Sequence, residues 1–315
     1  MISQAKINEL TEKSKQIKNA IKSNSIKEKI LINILITTNN SERQIIRTCY
    51  KRLYNIPIQN DINKGLTYNF KDLFLSMFDT PYEYDARELY KSFNSIPVKF
   101  KTIIEIFSSR NNSYLNIISQ AYEQFFKISL KEEISSKLSK DFSKFIFLTM
   151  SIHRKEEKSI TNEDAYKLAN LLKEKNSDIL EDENIFKDIF LEKSREDLIL
   201  ISRAFFELYK INLYEFIKSL KNDDNKEINK KLIKNILFAV ISPSEWFSKK
   251  LRKSLNTQKM DYSRINRILI YRADIDMDVI KDYYLNNYGN DLEKDIELIK
   301  ENSYREVLIN LCKKS

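Results

Sequence analysis

The sequence predicts an all-α protein assembled from repeats, and three observations carry that prediction. The chain of 315 residues contains only 2 Gly and 4 Pro, whereas a sheet-rich protein of this length needs many more turn residues. Apolar residues recur at helical spacing along nearly the whole chain, which gives an expected helix content of about 70%, twice the usual globular share. An aromatic-centred pattern also occurs four times, in Arg47–Tyr54, Ser119–Phe126, Ser202–Tyr209 and Lys281–Tyr288. Its anchors Tyr50, Tyr122, Phe205 and Tyr284 stand 72, 83 and 79 residues apart. A second aromatic follows each anchor after four residues (Tyr54, Phe126, Tyr209, Tyr288), and an aliphatic residue four later still (Ile58, Leu130, Leu213, Leu292). Aromatics at i and i+4 share one helix face, so this pattern reads as core packing.

Around each anchor the periodicity divides into about five helices. The first repeat, 1–80 with a very short N-terminal tail, offers helices near 5–21, 27–37, 42–54, 58–66 and 68–78. Asp79-Thr80-Pro81 ends it, because proline has no N–H and disfavours helix in the residue before it. The second repeat, 81–153, offers helices near 83–93, 98–108, 112–126, 129–138 and 140–151. A polar linker, 154–161, follows and suggests two halves of two repeats each. The third repeat, 162–242, opens with Asn162-Glu163-Asp164-Ala165, a capping signal, and carries a charged insertion, Lys221–Lys231, between its fourth and fifth helices. The same proline hinge then recurs as Val240-Ile-Ser-Pro243-Ser-Glu-Trp246, opening the fourth repeat, 243–315, with Trp246 as a packing anchor.

Hydrophobic content of 42% and charged content of 31% describe a folded, water-soluble chain. No apolar run approaches the roughly 20 residues that span a bilayer, and Met1–Lys6 lacks the apolar stretch of a signal peptide. Cys49 and Cys312 lie in apolar helical stretches, and are expected to be buried free thiols of a cytoplasmic protein. A net charge of +9 favours an acidic partner, either an anionic membrane surface or nucleic acid. Nucleic acid is disfavoured, because Lys and Arg are spread along the chain and no recognition motif is present.

Four helical repeats with a longer link in the middle resemble the annexin family. Thr80-Pro-Tyr-Glu-Tyr-Asp-Ala86 is similar to the annexin inter-repeat hinge, and Ser109-Arg-Asn-Asn-Ser113 to the end of annexin helix B. Arg272–Tyr284, Tyr288-Gly-Asn-Asp-Leu292 and Ser303–Leu311 resemble the last annexin repeat. The resemblance covers essentially the whole chain, and points to divergent protist or parasite members such as the giardins. It implies four right-handed superhelical five-helix units forming a slightly curved disc, with the loops between helices A and B on one face.

Annexins bind calcium through a glycine-rich A–B loop and a carboxylate about 40 residues on, because backbone carbonyls must turn inward to a cation that takes 6–8 oxygens. Counting 27 back from each anchor gives Ser23–Ile26, Ser95–Val98, Asp178–Glu181 and Thr257–Met260, none with a glycine. Fifteen residues after the anchors stand Gly65, Lys137, Leu220 and Ile299, none acidic. No cofactor is therefore expected, except for calcium in the third repeat. There Asp178, Glu181, Asp182 and Glu183 form an acidic loop, and Asp223, Asp224 and Glu227 of the insertion reach the distal position if the insertion folds back. The competing reading is a solvated charged loop, since Lys221, Lys226, Lys230 and Lys231 surround those acids.

By the resemblance, the loops that face a bilayer are basic here: Lys22, Lys27, Lys29, Lys99, Lys101, Lys250, Lys253 and Lys259. Ile26, Ile96, Ile179, Leu180 and Met260 stand at their tips. The implied function is peripheral binding of acidic phospholipid with weak or no calcium dependence. The alternatives are that these lysines are ordinary solvated faces, and that the protein is a helical-repeat scaffold for cytoskeletal or coat partners without membrane affinity. Catalysis is not expected. His153 is the only histidine, it sits at the edge of the linker, and no nucleophile set, zinc spacing or phosphate loop accompanies it.

Overall fold

The computed structural model describes residues 3–22, 26–66, 68–221, 224–255 and 260–313, with backbone alone at 224 and 225. It is 80% helical, with no strand among the described residues. In chain order the helices are α1 (Gln4–Lys22), α2 (Glu28–Ile36), α3 (Asn40–Tyr54), α4 (Ile58–Gly65), α5 (Tyr68–Phe78), α6 (Pro81–Phe93), α7 (Phe100–Ser109), α8 (Asn112–Phe126), α9 (Leu130–Lys137) and α10 (Lys140–Ser151). They continue as α11 (Asn162–Lys175), α12 (Glu183–Ile185), α13 (Arg195–Tyr209), α14 (Leu213–Ser219), α15 (Asp224–Ile241), α16 (Pro243–Leu255), α17 (Tyr262–Arg272), α18 (Met277–Tyr288), α19 (Leu292–Glu297) and α20 (Asn302–Lys313).

The chain folds into two compact units, 1–84 with 247–315, and 85–246. The linker suggested that consecutive repeats pair as halves, and here the structure differs. The first unit joins the two ends of the chain, because α2 packs on α20 and α5 on both α17 and α20. The second holds the middle of the chain together through α15, which packs against α7, α10, α13 and α14. The unit boundaries fall within α6 and α16, the helices opened by the two proline hinges.

The anchors do what their spacing predicts. Tyr50, Tyr122, Phe205 and Tyr284 are fully buried, as are Ile58, Leu130, Leu213 and Leu292. Each anchor ring meets its i+4 partner at 4.8, 5.0, 5.0 and 5.2 Å. A polar staple accompanies them that the sequence reading missed. The Tyr50 hydroxyl donates to Asp61, which also pairs with Lys18. The Tyr284 hydroxyl donates to Asp295, which also takes the Arg252 guanidinium at 2.5 Å. The second repeat has Glu133 at this position, bound by Asn94 at 3.0 Å. The third is apolar instead: Phe205 packs on Phe216 at 4.8 Å, with the Lys173 ammonium 5.0 Å from the Phe216 ring. The signal was present as an acid eleven residues after each of three anchors.

Each of these four third helices ends in the same way. The next residue adopts the left-handed conformation and closes the helix with its N–H: Asn55 (φ 54°), Lys127 (φ 59°), Lys210 (φ 55°) and Gly289 (φ 66°). Only the fourth uses glycine, which pays no steric cost there.

The 85–246 unit departs most from the periodic reading. Thr161, not Asn162, caps α11, through a reciprocal capping box with Asp164. The linker is pinned by Asp197, which accepts from Ser159 N–H and Oγ (both 2.8 Å), Ile160 N–H (3.2 Å) and Ser194 N–H (3.2 Å). Where one second helix was expected, a 3-10 turn (Asn176–Leu180), the short α12 and a π-helical turn (Phe186–Leu191) follow one another. Most of the charged insertion is helix rather than loop, extending α15 at its N-terminus. Trp246 is buried and donates to Asn235 at 3.1 Å. Cys49 and Cys312 are buried free thiols, and burial pushes the Cys312 thiol up to about 12.

Candidate functional site

Three of the four loops counted back from the anchors are closed by the same backbone hydrogen bond. Lys27 N–H donates to Ala20 O (3.1 Å), Lys99 N–H to Ser92 O (3.0 Å) and Asp261 N–H to Ser254 O (3.2 Å), each spanning seven residues. The closing residue has nearly the same dihedrals each time: φ −88° and ψ 72° at Lys27, −85° and 71° at Lys99, −95° and 76° at Asp261. The three loops are thus one device built without glycine. In the second loop the Ser95 hydroxyl donates to Ser92 O and to Pro97 O, both at 2.9 Å.

The side chains of these loops differ in exposure. Ile96 is fully exposed at 102%, with Lys99 and Lys101 exposed beside it. Lys22, Lys27, Lys29 and Lys253 are exposed, while Ile26, Lys250 and Met260 are half-buried. Lys259 lies outside the described residues, as do Ser23–Ser25 and Asn256–Gln258 of the same loops.

The third loop is built differently, and the expectation of exposed apolar tips fails on it. Ile179 and Leu180 are fully buried rather than exposed at a tip. The 3-10 turn puts both on the core side, and the lengthened α15 packs over them, with the Asn229 amide donating to Leu180 O at 3.0 Å. The acids do not converge either. Asp182 caps α12, accepting from Asn184 and Ile185 N–H at 3.0 Å each. Glu181 is ion-paired with Lys226 and Glu183 with Lys144, the latter at 3.1 Å, and Asp178 is exposed. The insertion therefore does fold back on the loop, but it brings an ammonium group to Glu181. Asp223 and the side chain of Asp224 lie outside the described residues. Among the described residues no group of three or more His, Cys, Asp or Glu is placed to hold a metal ion.

The 1–84/247–315 unit adds exposed apolar residues that the sequence reading missed. Glu301 accepts from Phe70 N–H (2.8 Å) and from the Asn69 amide (3.0 Å), joining the α4–α5 turn to the α19–α20 turn. Ser303 hydrogen-bonds Glu28 in the first turn of α2. These contacts set Tyr68, 80% exposed at φ 56°, and Leu298, 71% exposed, on one edge with the Lys27–Lys29 segment and the exposed Lys300.

With this geometry in place, comparison with known proteins identifies the class. The annexin family model matches residues 12–77, 84–148 and 247–311, and the chain belongs to the annexin family. The stretch left unmatched contains the irregular 3-10, α12 and π segment. Mouse annexin A3 is 29% identical over 301 residues, covering 94% of this chain and 91% of its own. Human annexin A1 is 28% identical over 298 residues, covering 93% and 84%. Among solved structures, annexin III superposes with a TM-score of 0.87 at 26% identity, over 96% of this chain and 93% of that one. A calcium-bound alpha-14 giardin shares the fold, with a TM-score of 0.74 at 14% identity over 96% and 99%. Annexins are in general peripheral phospholipid-binding proteins rather than enzymes.

Proposed function

We propose that this protein binds anionic phospholipid surfaces through its A–B loops and adjoining turns, with little or no calcium dependence. The observation that carries the reading is the fully exposed Ile96 beside the exposed Lys99 and Lys101, on a loop whose closing hydrogen bond recurs in two others. Burying one isoleucine contributes about 1.5–3 kcal/mol, and each lysine near an anionic surface about 1 kcal/mol. Tyr68 and Leu298 extend the same chemistry, with Lys27, Lys29 and Lys300 alongside. Asp178, Glu181 and Asp182 are engaged or dispersed, so a cation adds little to this attraction. The function requires no membrane-spanning segment, and no described helix is long and apolar enough to cross a membrane.

A second reading, a helical-repeat scaffold for cytoskeletal or coat proteins without membrane affinity, is favoured by one feature: Val279 and Tyr283 of α18, with Ile275 just before that helix, are exposed apolar residues four apart. Co-sedimentation separates the two readings. Binding to phosphatidylserine vesicles that weakens with salt supports lipid binding, whereas failure to bind at low ionic strength leaves the scaffold.

A further inference from the structure

The 85–246 unit holds a half-open cavity of about 520 Å³ that the loops above do not use. Its wall is formed by the end of α7 and the start of α8 (Phe107–Ser113), Thr149 of α10 and the residues that follow that helix (Ile152–Glu156), Leu191, Arg195 and the last turns of α15. The A–B loop of the second repeat sits at the opposite end of α7, and ten residues of helix separate the two by about 15 Å. The volume lies in the range of small-molecule sites.

We infer that this cavity binds a phosphorylated small molecule, with its phosphate held by Lys155, His153 and Arg195 and completed by Ser108 and Asn112. Charge supports this first. Arg110, Arg154, Lys155 and Arg195 line the cavity together with His153, against one acid, Glu156. Arg110 is balanced by Asp85 at 2.8 Å. Arg154 and Arg195 instead donate to neutral carbonyls, Arg154 to Lys193 O (2.5 Å) and Phe190 O (2.6 Å), Arg195 to Ile241 O (3.1 and 3.0 Å). Their positions are fixed, and among the described residues no acid pairs with either. Lys155 and His153 are exposed, and neither side chain has a partner among the described residues.

Orphaned donors supply the second, independent support. Ser108 and Asn112 are only 6% and 7% exposed, yet the Ser108 hydroxyl and the Asn112 side-chain NH₂ have no hydrogen-bond partner among the described residues. Buried polar groups are rarely left so, and each such group in a native structure calls for a partner. Both residues line the cavity.

Helix ends add a third element. The 15-residue α8 and α13 both begin at this wall, at Asn112 and Arg195, and the first N–H groups of a helix have no intrahelical partner and favour anions. α7, α10 and α15 end here with the opposite polarity. Arg110 N–H closes on Ile106 O and Ile152 N–H on Leu148 O, and Arg195 covers Ile241 O, which blunts that opposing field.

The test is calorimetric titration of the full chain with myo-inositol 1,4,5-trisphosphate and with inorganic phosphate. The trisphosphate is expected to bind with Kd at or below about 100 μM, and inorganic phosphate more weakly. Lys155→Glu, at an exposed position, should weaken trisphosphate binding at least about tenfold. Ser108→Ala should weaken it about fivefold with no loss of thermal stability, since it removes an unsatisfied group; binding of phosphatidylserine vesicles should be unchanged in this variant. Competition by vesicles containing phosphatidylinositol 4,5-bisphosphate would assign the phosphate to a lipid headgroup, and its absence to a soluble ligand. No heat at millimolar trisphosphate, or equal affinity in the wild type and both variants, overturns the inference, whatever the vesicles do.

Discussion

Replacing Lys127 or Lys210 with glycine should stabilise the protein, and replacing Gly289 with alanine should destabilise it by a similar amount. All three residues close a third helix from the left-handed region, with φ of 59°, 55° and 66°. That conformation costs an L-residue about 1–2 kcal/mol, while glycine's extra freedom in the unfolded chain costs about 0.5–1 kcal/mol. The difference is about 0.5–1 kcal/mol per site. Lys127 and Lys210 are exposed, so truncation removes no packing. A Cβ built at Gly289 meets nothing within 4 Å, so Gly289→Ala reports backbone strain without a steric clash. Urea denaturation followed by circular dichroism at 222 nm measures all three; the midpoint should move while the slope stays constant. A destabilised Lys127→Gly, or a neutral Gly289→Ala, would refute the claim that the helix ends are strained alike.

Further outcomes follow from other contacts. Asp85 and Arg110 are each 2% exposed at the side chain, so Asp85→Ala strands a buried guanidinium and should cost about 3–5 kcal/mol in urea unfolding. Burial raises the Asp197 carboxyl, but its hydrogen bonds to Ser159, Ser194 and Ile160 outweigh this and hold it below its ordinary value. Its contribution is therefore fully present above the unfolded carboxylate range near about 3.9 and is lost as pH falls through the lower folded value. Asp197→Asn should cost about 1.5–3 kcal/mol at pH 7, and the gap to wild type should narrow in thermal melts below pH 4. Lys99→Ala with Lys101→Ala should weaken phosphatidylserine binding by about 2 kcal/mol, roughly thirtyfold, in low-salt co-sedimentation.

Helices and core were legible because their signals are local. The anchor aromatics and the aliphatics eight residues on required only a 3.6-residue period and ended in the core as read, while Tyr54, Phe126, Tyr209 and Tyr288 stack on the anchors half-buried. The seven-residue closure shared by Lys27, Lys99 and Asp261 was not legible, because it joins backbone atoms and leaves no side-chain pattern. Ile179 and Leu180 were misplaced for a non-local reason: their burial depends on α15, lengthened by the insertion and packed over them from some fifty residues away in the chain. The pairing of units was hidden in the same way, since it rests on contacts between the chain's two ends. The Tyr–Asp staple was readable at a fixed spacing of eleven residues, but an acid in an amphipathic helix looks like any solvated one until its tyrosine is known to be buried.

The most direct test of the account is co-sedimentation with phosphatidylserine/phosphatidylcholine vesicles against pure phosphatidylcholine, in EGTA and in millimolar calcium, for the wild type and for Ile96→Asp. The account predicts wild-type binding to the anionic vesicles in EGTA, falling with added salt, changed little by calcium and weakened by Ile96→Asp. Binding that appears only with calcium, or that Ile96→Asp leaves intact, would contradict it.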